Sequence, residues 1–184
     1  MDNGLKQLGI NKCITRAEND LYCTNPKQVE KLLQYETFDN NIWECCNGLS
    51  HISNYLIEQG YTVTKTDINA YEQNDVEIVN FLETDTTFNG DIITNPPYKN
   101  AEIFCYKAIE RANKVAMLMK INFLATQKNK RLFDSYPRKT VYVLSKRIDC
   151  AKNGEFDKYK NGAVDYCWIV WEKDYQGDTQ IKWI

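Results

Sequence analysis

Asp91-Ile92-Ile93-Thr94-Asn95-Pro96-Pro97-Tyr98 is the stretch on which the fold turns. Its first four residues read as a short buried strand, and the two prolines end it. Neither proline can donate to a ladder or continue a helix, so the chain after Thr94 is a stiff loop. Such a loop holds the Asn95 side-chain carbonyl and the Pro96 backbone carbonyl as two fixed acceptors. Two acceptors suit an amino group whose lone pair must be freed to attack a methyl sulfonium. Tyr98 adds a flat face on which a planar group can stack. The plainer alternative is an Asn-Pro turn beside a core tyrosine.

Toward the N-terminus, Thr24-Asn25-Pro26 starts a helix. Thr24 or Asn25 caps it, Pro26 suits its first turn, and Val29, Leu32 and Leu33 form its apolar stripe. Residues 42–46 follow as a short buried strand. A turn at Asn47-Gly48 leads to a helix over 50–59, with Ile52, Leu56 and Ile57 inward and Gly60 at its end. Residues 61–66 alternate β-branched and polar side chains, a second strand ending at Asp67. A third short strand covers 76–82, and 91–94 is the fourth.

Toward the C-terminus, Ile103, Phe104, Ala108 and Ile109 have helical spacing within 101–112. Residues 115–121 form a fifth buried strand, and a helix covers 122–134. Strands at 141–144, 166–171 and 181–183 follow, with no helix between the first two. Strand–helix alternation predicts an α/β fold with a mostly parallel sheet covered on both faces. The helix-free end predicts an antiparallel C-terminal edge. Ligands of such sheets bind outside the carboxyl ends of the strands. Glu44, Asp67, Phe81 and Asn95 all fall at or just after strand ends, so they line one rim.

The bulk numbers narrow the class. The 184 residues suit a single domain, with 43% apolar and 26% charged content. The first 20 residues are polar. No apolar run approaches the ~20 residues that span a bilayer, and the N-terminus does not read as a secretory signal. Seven cysteines without a CxxC pair, beside one histidine, argue against a disulfide framework and against a metal site. Buried reduced thiols in a cytoplasmic protein are the expectation. Charge is uneven: residues 1–119 carry a net of −7, residues 120–160 carry +7 and the rest −2. A basic patch can collect a phosphate backbone, whereas a solvated face is the bland reading. The basic surplus is expected on the rim that holds Asn95.

With these residues in view, the chain resembles the amino-methyltransferases of nucleic acids, in particular small phage-type DNA N6-adenine methyltransferases. The likeness runs from about Asp20 to Trp171. It implies a Rossmann-like class I methyltransferase fold with a seven-stranded mixed sheet, helices on both faces and S-adenosylmethionine as cofactor. Asn95, Pro96, Pro97 and Tyr98 match the family's catalytic tetrapeptide. Glu44 to Ser50 resembles the cofactor loop, with Gly48 kept and Ser50 where a second glycine is usual. Asp67 matches the acid on the ribose hydroxyls. Asn80-Phe81 resembles an Asp-Phe step around the adenine, with Asn80 in place of the acid. Tyr22, Thr24 and Pro26 resemble an element closing over the cofactor carboxylate, with Asn25 inserted. His51 reads as structural.

The likeness extends to a late hairpin whose basic loop, 149–163, holds Lys152, Lys158 and Lys160 with Phe156 and Tyr159. Basic residues interleaved with aromatics suit contact with a strand of nucleic acid. The implied partner is DNA, or RNA, with no membrane and no metal. An RNA adenine, a protein glutamine amide and a decayed binding module remain as alternatives. The chain has no room for a large target-recognition domain.

Overall fold

The computed structural model describes residues 21–71, 73–146, 150–152, 154, 156 and 164–184. Lys158, Lys160, Tyr159 and the first 20 residues lie outside them.

In chain order the elements are β1 (Tyr22–Cys23), α1 (Pro26–Leu33), β2 (Asn41–Glu44), α2 (His51–Glu58), β3 (Thr62–Asp67), β4 (Glu77–Ile78) and β5 (Asp91–Thr94). Then come α3 (Ala101–Arg111), β6 (Lys114–Lys120), α4 (Gln127–Ser135), β7 (Thr140–Val143), β8 (Ala151–Lys152), β9 (Tyr166–Glu172) and β10 (Gln180–Trp183). Short 3-10 turns cover Tyr98–Asn100 and Ile121–Ala125. The main sheet has the order β10-β7-β9-β6-β5-β2-β3-β4. All of its pairings are parallel except those of β9, which runs against both β6 and β7.

The expected α/β class holds, with two corrections. The sheet has eight strands among the described residues, not seven. The reversed strand comes from the C-terminal part as expected, but it lies inside the sheet, and β10 forms the edge parallel to β7. A second, two-stranded sheet pairs β1 with β8, and residues 21–23 and 150–152 carry no periodicity that would announce it.

Neighbouring strand residues divide between the two faces, as period-two geometry requires. Trp43, Ile92 and Met117 pack with Phe104 and Ala108 of α3 and Leu132 of α4. Ile42, Ile93 and Leu118 pack with Val29 and Leu32 of α1 and Ile52 and Leu56 of α2. Burial on both faces is why these strands read as continuous apolar runs. Asn25 caps α1, its side chain accepting from the Lys27 N–H at 3.1 Å.

Other expectations need adjustment. Ile57 and Ile103, expected inward, are exposed at 46% each. In α2 the inward row is Ile52, Ser53 and Leu56, and in α3 it is Ala101, Phe104, Cys105 and Ala108. At 100° per residue, Ile57 lies about 90° and Ile103 about 150° from the middle of those rows. The third strand shrinks to Glu77–Ile78, and the 122–134 helix divides into a 3-10 turn and α4. No described helix is long and apolar enough to cross a membrane.

The basic surplus is spread over both ends of the sheet. Lys120 ends β6 on the Asn95 side. Lys139 precedes β7 at the opposite end, where it pairs with Glu36 and Glu172.

Candidate active site

Chain order turns outward in both directions between β2 and β5, and a sheet of this kind opens a crevice at that switch point. A cleft of about 870 Å³, open mouth included, occupies it. Its walls come from the loop after β2, the ends of β3 and β5, residues 79–82 and β1.

The loop after β2 is the most heavily bonded part of the cleft. Gly48 has φ +53°, and a side chain there would press on Leu21 at 3.2 Å. Its N–H donates to Asp67 Oδ2 at 2.9 Å, and the Asn69 N–H donates to Asp67 Oδ1 at 2.9 Å. Asp67 thus ties the glycine loop to the end of β3. Burial pushes its pKa up, and these backbone donors work against that. Ser50 takes φ +60°, so it holds the left-handed conformation that a glycine would. Its hydroxyl meets the Asn47 amide at 2.7 Å and also contacts Gln73 Oε1. The Gln73 amide donates to the Gly48 carbonyl at 2.8 Å. Glu44 is buried under this loop beside Ser53, whose hydroxyl lies 2.9 Å from its carboxyl. Burial pushes Glu44 well above the ordinary carboxylate range.

The proline loop closes the other side. The Asn95 amide nitrogen donates to the Tyr22 carbonyl at 2.8 Å. A carbonyl cannot donate, so this contact fixes which way the amide points. Among the described residues, the buried Asn95 Oδ1 has no partner. A buried acceptor without a donor is costly, and native proteins retain few of them. Thr24 Oγ1 and His51 Nδ1 are also buried without partners, and both residues line the same cleft. Burial pulls the His51 pKa down, and its ring meets Phe156 edge-on at 5.1 Å.

Phe81 reaches the cleft floor, but most of its ring is spent in the core. It meets Trp43 edge-on at 5.2 Å, stacks on Phe104 at 5.4 Å and carries the Arg111 guanidinium at 4.9 Å. Arg111 also donates to the Phe81 carbonyl at 2.7 Å. The Asn80 side-chain oxygen accepts from the Leu82 N–H at 3.1 Å, so part of its capacity is already used.

The cleft therefore gathers Tyr22, Thr24, Glu44, Gly48 and Asp67 with Asn80, Phe81, Asn95 and Pro97. Pro26 opens α1 and does not line it. Pro96 is buried in the loop. Lys152 lies in β8, opposite Tyr22. Gln73, Ser53 and Asn47 complete the loop's bonding and were not read from the sequence.

Tyr98 belongs to a second cleft, on the far side of the proline loop. Its lining includes Lys99, Glu102, Lys120, Phe123 and Lys128. The Tyr98 ring, expected to receive a planar substrate, carries the Lys120 ammonium over one face, 4.6 Å from the ring centre. Lys128 pairs with Glu102 at 2.9 Å. Among the described residues, no group of three or more His, Cys, Asp or Glu side chains could hold a metal ion.

No protein-family model and no curated protein sequence matches the chain. Solved structures do match. A 23S rRNA methyltransferase, ErmE, aligns with a TM-score of 0.57 at 11% identity, over 85% of this chain and 72% of that one. A protein described as an RNA methyltransferase from Pyrococcus horikoshii aligns at 0.55 and 13%, over 80% of each chain. A protein described as a class I S-adenosylmethionine-dependent methyltransferase from Listeria monocytogenes aligns at 0.54 and 13%, over 86% of this chain and 62% of that one. The fold is that of class I methyltransferases. At these identities the likeness is one of architecture, and the chemistry has to be argued from the cleft.

Proposed function

We propose that this chain is an S-adenosylmethionine-dependent methyltransferase acting on an exocyclic amino group, with N6 of adenine in DNA as its substrate. The observation that carries this reading is Asn95. Its amide is pinned by Tyr22, so that a buried acceptor stands free at the carboxyl end of β5.

The cleft residues fit the cofactor. Asp67 stands where ribose hydroxyls can donate to it, and Gly48 leaves the backbone open to close approach. Thr24 Oγ1 is a free polar atom for the carboxylate end. When bound, S-adenosylmethionine supplies an electrophilic methyl group on a sulfonium centre.

The chain's own part is to prepare the amine. An amino group on an aromatic ring is a poor nucleophile because its lone pair is delocalised. Asn95 Oδ1 and the Pro96 carbonyl accept its two N–H bonds and favour the pyramidal form. Because the acceptors are fixed beforehand, they stabilise mainly the transition state. The methylated amine carries a positive charge and loses its proton afterwards, so no strong base is required.

The second cleft supports a nucleic-acid substrate. It sets Lys99 and Lys120 beside Tyr98 and Phe123, which is cationic and aromatic lining together. Inside a duplex the amino group is out of reach, so the base would have to be flipped.

The test is transfer of a labelled methyl group to separate DNA, RNA and protein pools, with the modified atom identified. DNA N6-methyladenine is the expected product. Label in RNA adenine or a glutamine amide keeps the loop's role and changes the substrate. Asn95→Ala is expected to cut single-turnover transfer by about a hundredfold or more while S-adenosylmethionine affinity stays near the parent's. A rate within a few-fold of the parent refutes the mechanism.

A further inference from the structure

The hydrogen bonds of the glycine loop have a direction, and it can be traced from one end. The Gly48 carbonyl can only accept, so the Gln73 group beside it, at 2.8 Å, must be the amide NH2. The Gln73 oxygen then faces Ser50, whose hydroxyl proton must go to it. A hydroxyl has one proton, so Ser50 must accept from Asn47, and the Asn47 NH2 is the group at 2.7 Å. The Asn47 oxygen is thereby turned to Ser53 and takes that hydroxyl's proton. Ser53 Oγ then has one proton for two acceptors, Asn47 Oδ1 and Glu44 Oε2, the latter 2.9 Å away. A proton on Glu44 gives every contact in the chain a donor.

We propose that Glu44 is held as a neutral carboxylic acid that positions the glycine loop, rather than as the anionic contact of a bound ligand's ammonium. The surroundings agree with this. Glu44 is 1% exposed, and among the described residues no lysine or arginine is an influence acting on it. The groups that face it are Ser53 from α2, Cys45 from its own loop and Asp67 from β3, with Cys23 of β1 close enough to feel its charge. None is a cation, and Asp67 disfavours a second negative charge. The Ser53 backbone N–H, close by, favours the charged form and works against the burial. That N–H belongs to the first turn of α2, where backbone donors lack intrahelical partners. Glu44 meets the first turn of α2 through the Ser53 side chain, and Ser50 at the helix start makes no side-chain cap of its own. Both ends of the loop, the α2 start and the Gly48 carbonyl, are held by one chain of donors that begins at the Glu44 proton.

The ligand side of this inference rests on the methyltransferase reading, with Asp67 left as the anionic acid of the cleft. The protonation side does not. Selective 13C labelling of glutamate carboxyls, with the Glu44 signal assigned by its loss in Glu44→Gln, reads the state directly. The Glu44 signal is expected to stay at the protonated position through neutral pH. A signal that titrates with the exposed glutamates overturns the proposal. Glu44→Gln keeps a donor toward Ser53, so it should fold and bind S-adenosylhomocysteine within a few-fold of the parent. Loss of binding in Glu44→Gln, with the parent binding normally, would show that the negative charge is needed. If the parent binds no S-adenosylhomocysteine, the methyltransferase reading fails, and the 13C signal still decides the state of Glu44.

A pH profile adds a readout that simple packing would not move. A raised carboxyl contributes its full stability below the ordinary carboxylate range and loses it as pH climbs toward the raised value. The melting temperature of the parent should therefore fall relative to Glu44→Gln as pH rises through that window. Parallel profiles would count against the proposal.

Discussion

At the amino end of the sheet, Glu36 sits between two lysines. Lys114 is 2.9 Å from it and Lys139 3.3 Å, and the Tyr142 hydroxyl donates to it at 3.0 Å. Glu172 faces the same lysines at 3.3 and 2.6 Å. Burial alone would raise Glu36, but the Lys114 bond and charge, then Tyr142 and Lys139, hold it below its ordinary value. The Lys139 bond comes first in lowering Glu172. At the carboxyl end the same residue types are treated in the opposite way. Glu44 and Asp67 are both raised by burial, with no cation beside them. Asn95 Oδ1, Thr24 Oγ1 and His51 Nδ1 have no partners, and Ser50 is left-handed. The Glu36 and Glu172 carboxylates are thus paired with lysines, whereas the cleft at the carboxyl end keeps buried acceptors that no described residue satisfies, as a ligand site does.

The largest effect expected from this contrast is on stability. Glu36→Ala leaves Lys114 largely buried without its nearest carboxylate. Breaking a buried pair from one side costs about 3 kcal/mol or more when nothing replaces the partner, and with Glu172 still 3.3 Å from Lys114 the loss should be about 2 kcal/mol. Asn95→Ala removes one bond to Tyr22 together with an orphaned acceptor, so its cost should stay near 1 kcal/mol. Urea denaturation of both variants checks the comparison. Equal losses would mean that the two ends do not divide the work of stability and chemistry.

A smaller effect concerns acid. Glu36 and Glu172 are depressed, so their contribution is present above the ordinary carboxylate range and disappears as pH falls through their folded values. Glu172 is partly exposed, which limits its share to about 1 kcal/mol. Glu172→Gln should be less stable than the parent at neutral pH, with the gap closing on acidification. A gap that stays constant to low pH would detach this cluster from acid unfolding.

What the sequence disclosed follows from how locally each feature is coded. Pro96 and Pro97 restrict the backbone wherever they occur, so the loop carrying Asn95 was legible. Asp67 was legible because an alternating strand ends on it. The two core faces were legible from apolar runs. Gln73 was not, because its role depends on a loop folding back 25 residues in sequence onto Gly48. The β1–β8 pair has two residues per strand, too few for a period. Ser53 is inward on α2, where a hydrophobic pattern passes over a serine, and it meets Glu44. Lys120 was seen as charge, and its place over Tyr98 depends on tertiary packing.

The smallest effect lies at Ser50, where strain and bonding can be separated. The side chain makes two contacts, with Asn47 and Gln73, each worth about 1 kcal/mol when satisfied. Its left-handed backbone costs a non-glycine residue about 1 kcal/mol or more. Ser50→Ala loses the contacts and keeps the cost. Ser50→Gly loses the contacts and removes the cost, although glycine gives back part of that gain through the greater freedom of its unfolded chain. Ser50→Gly should therefore lie within about 1 kcal/mol of the parent, and Ser50→Ala should be the less stable of the two by about 1 kcal/mol. Chemical denaturation of the three proteins decides this. If alanine and glycine are equally destabilising, the backbone at Ser50 stores no strain, and the carboxyl end differs from the amino end only in its unpaired polar atoms.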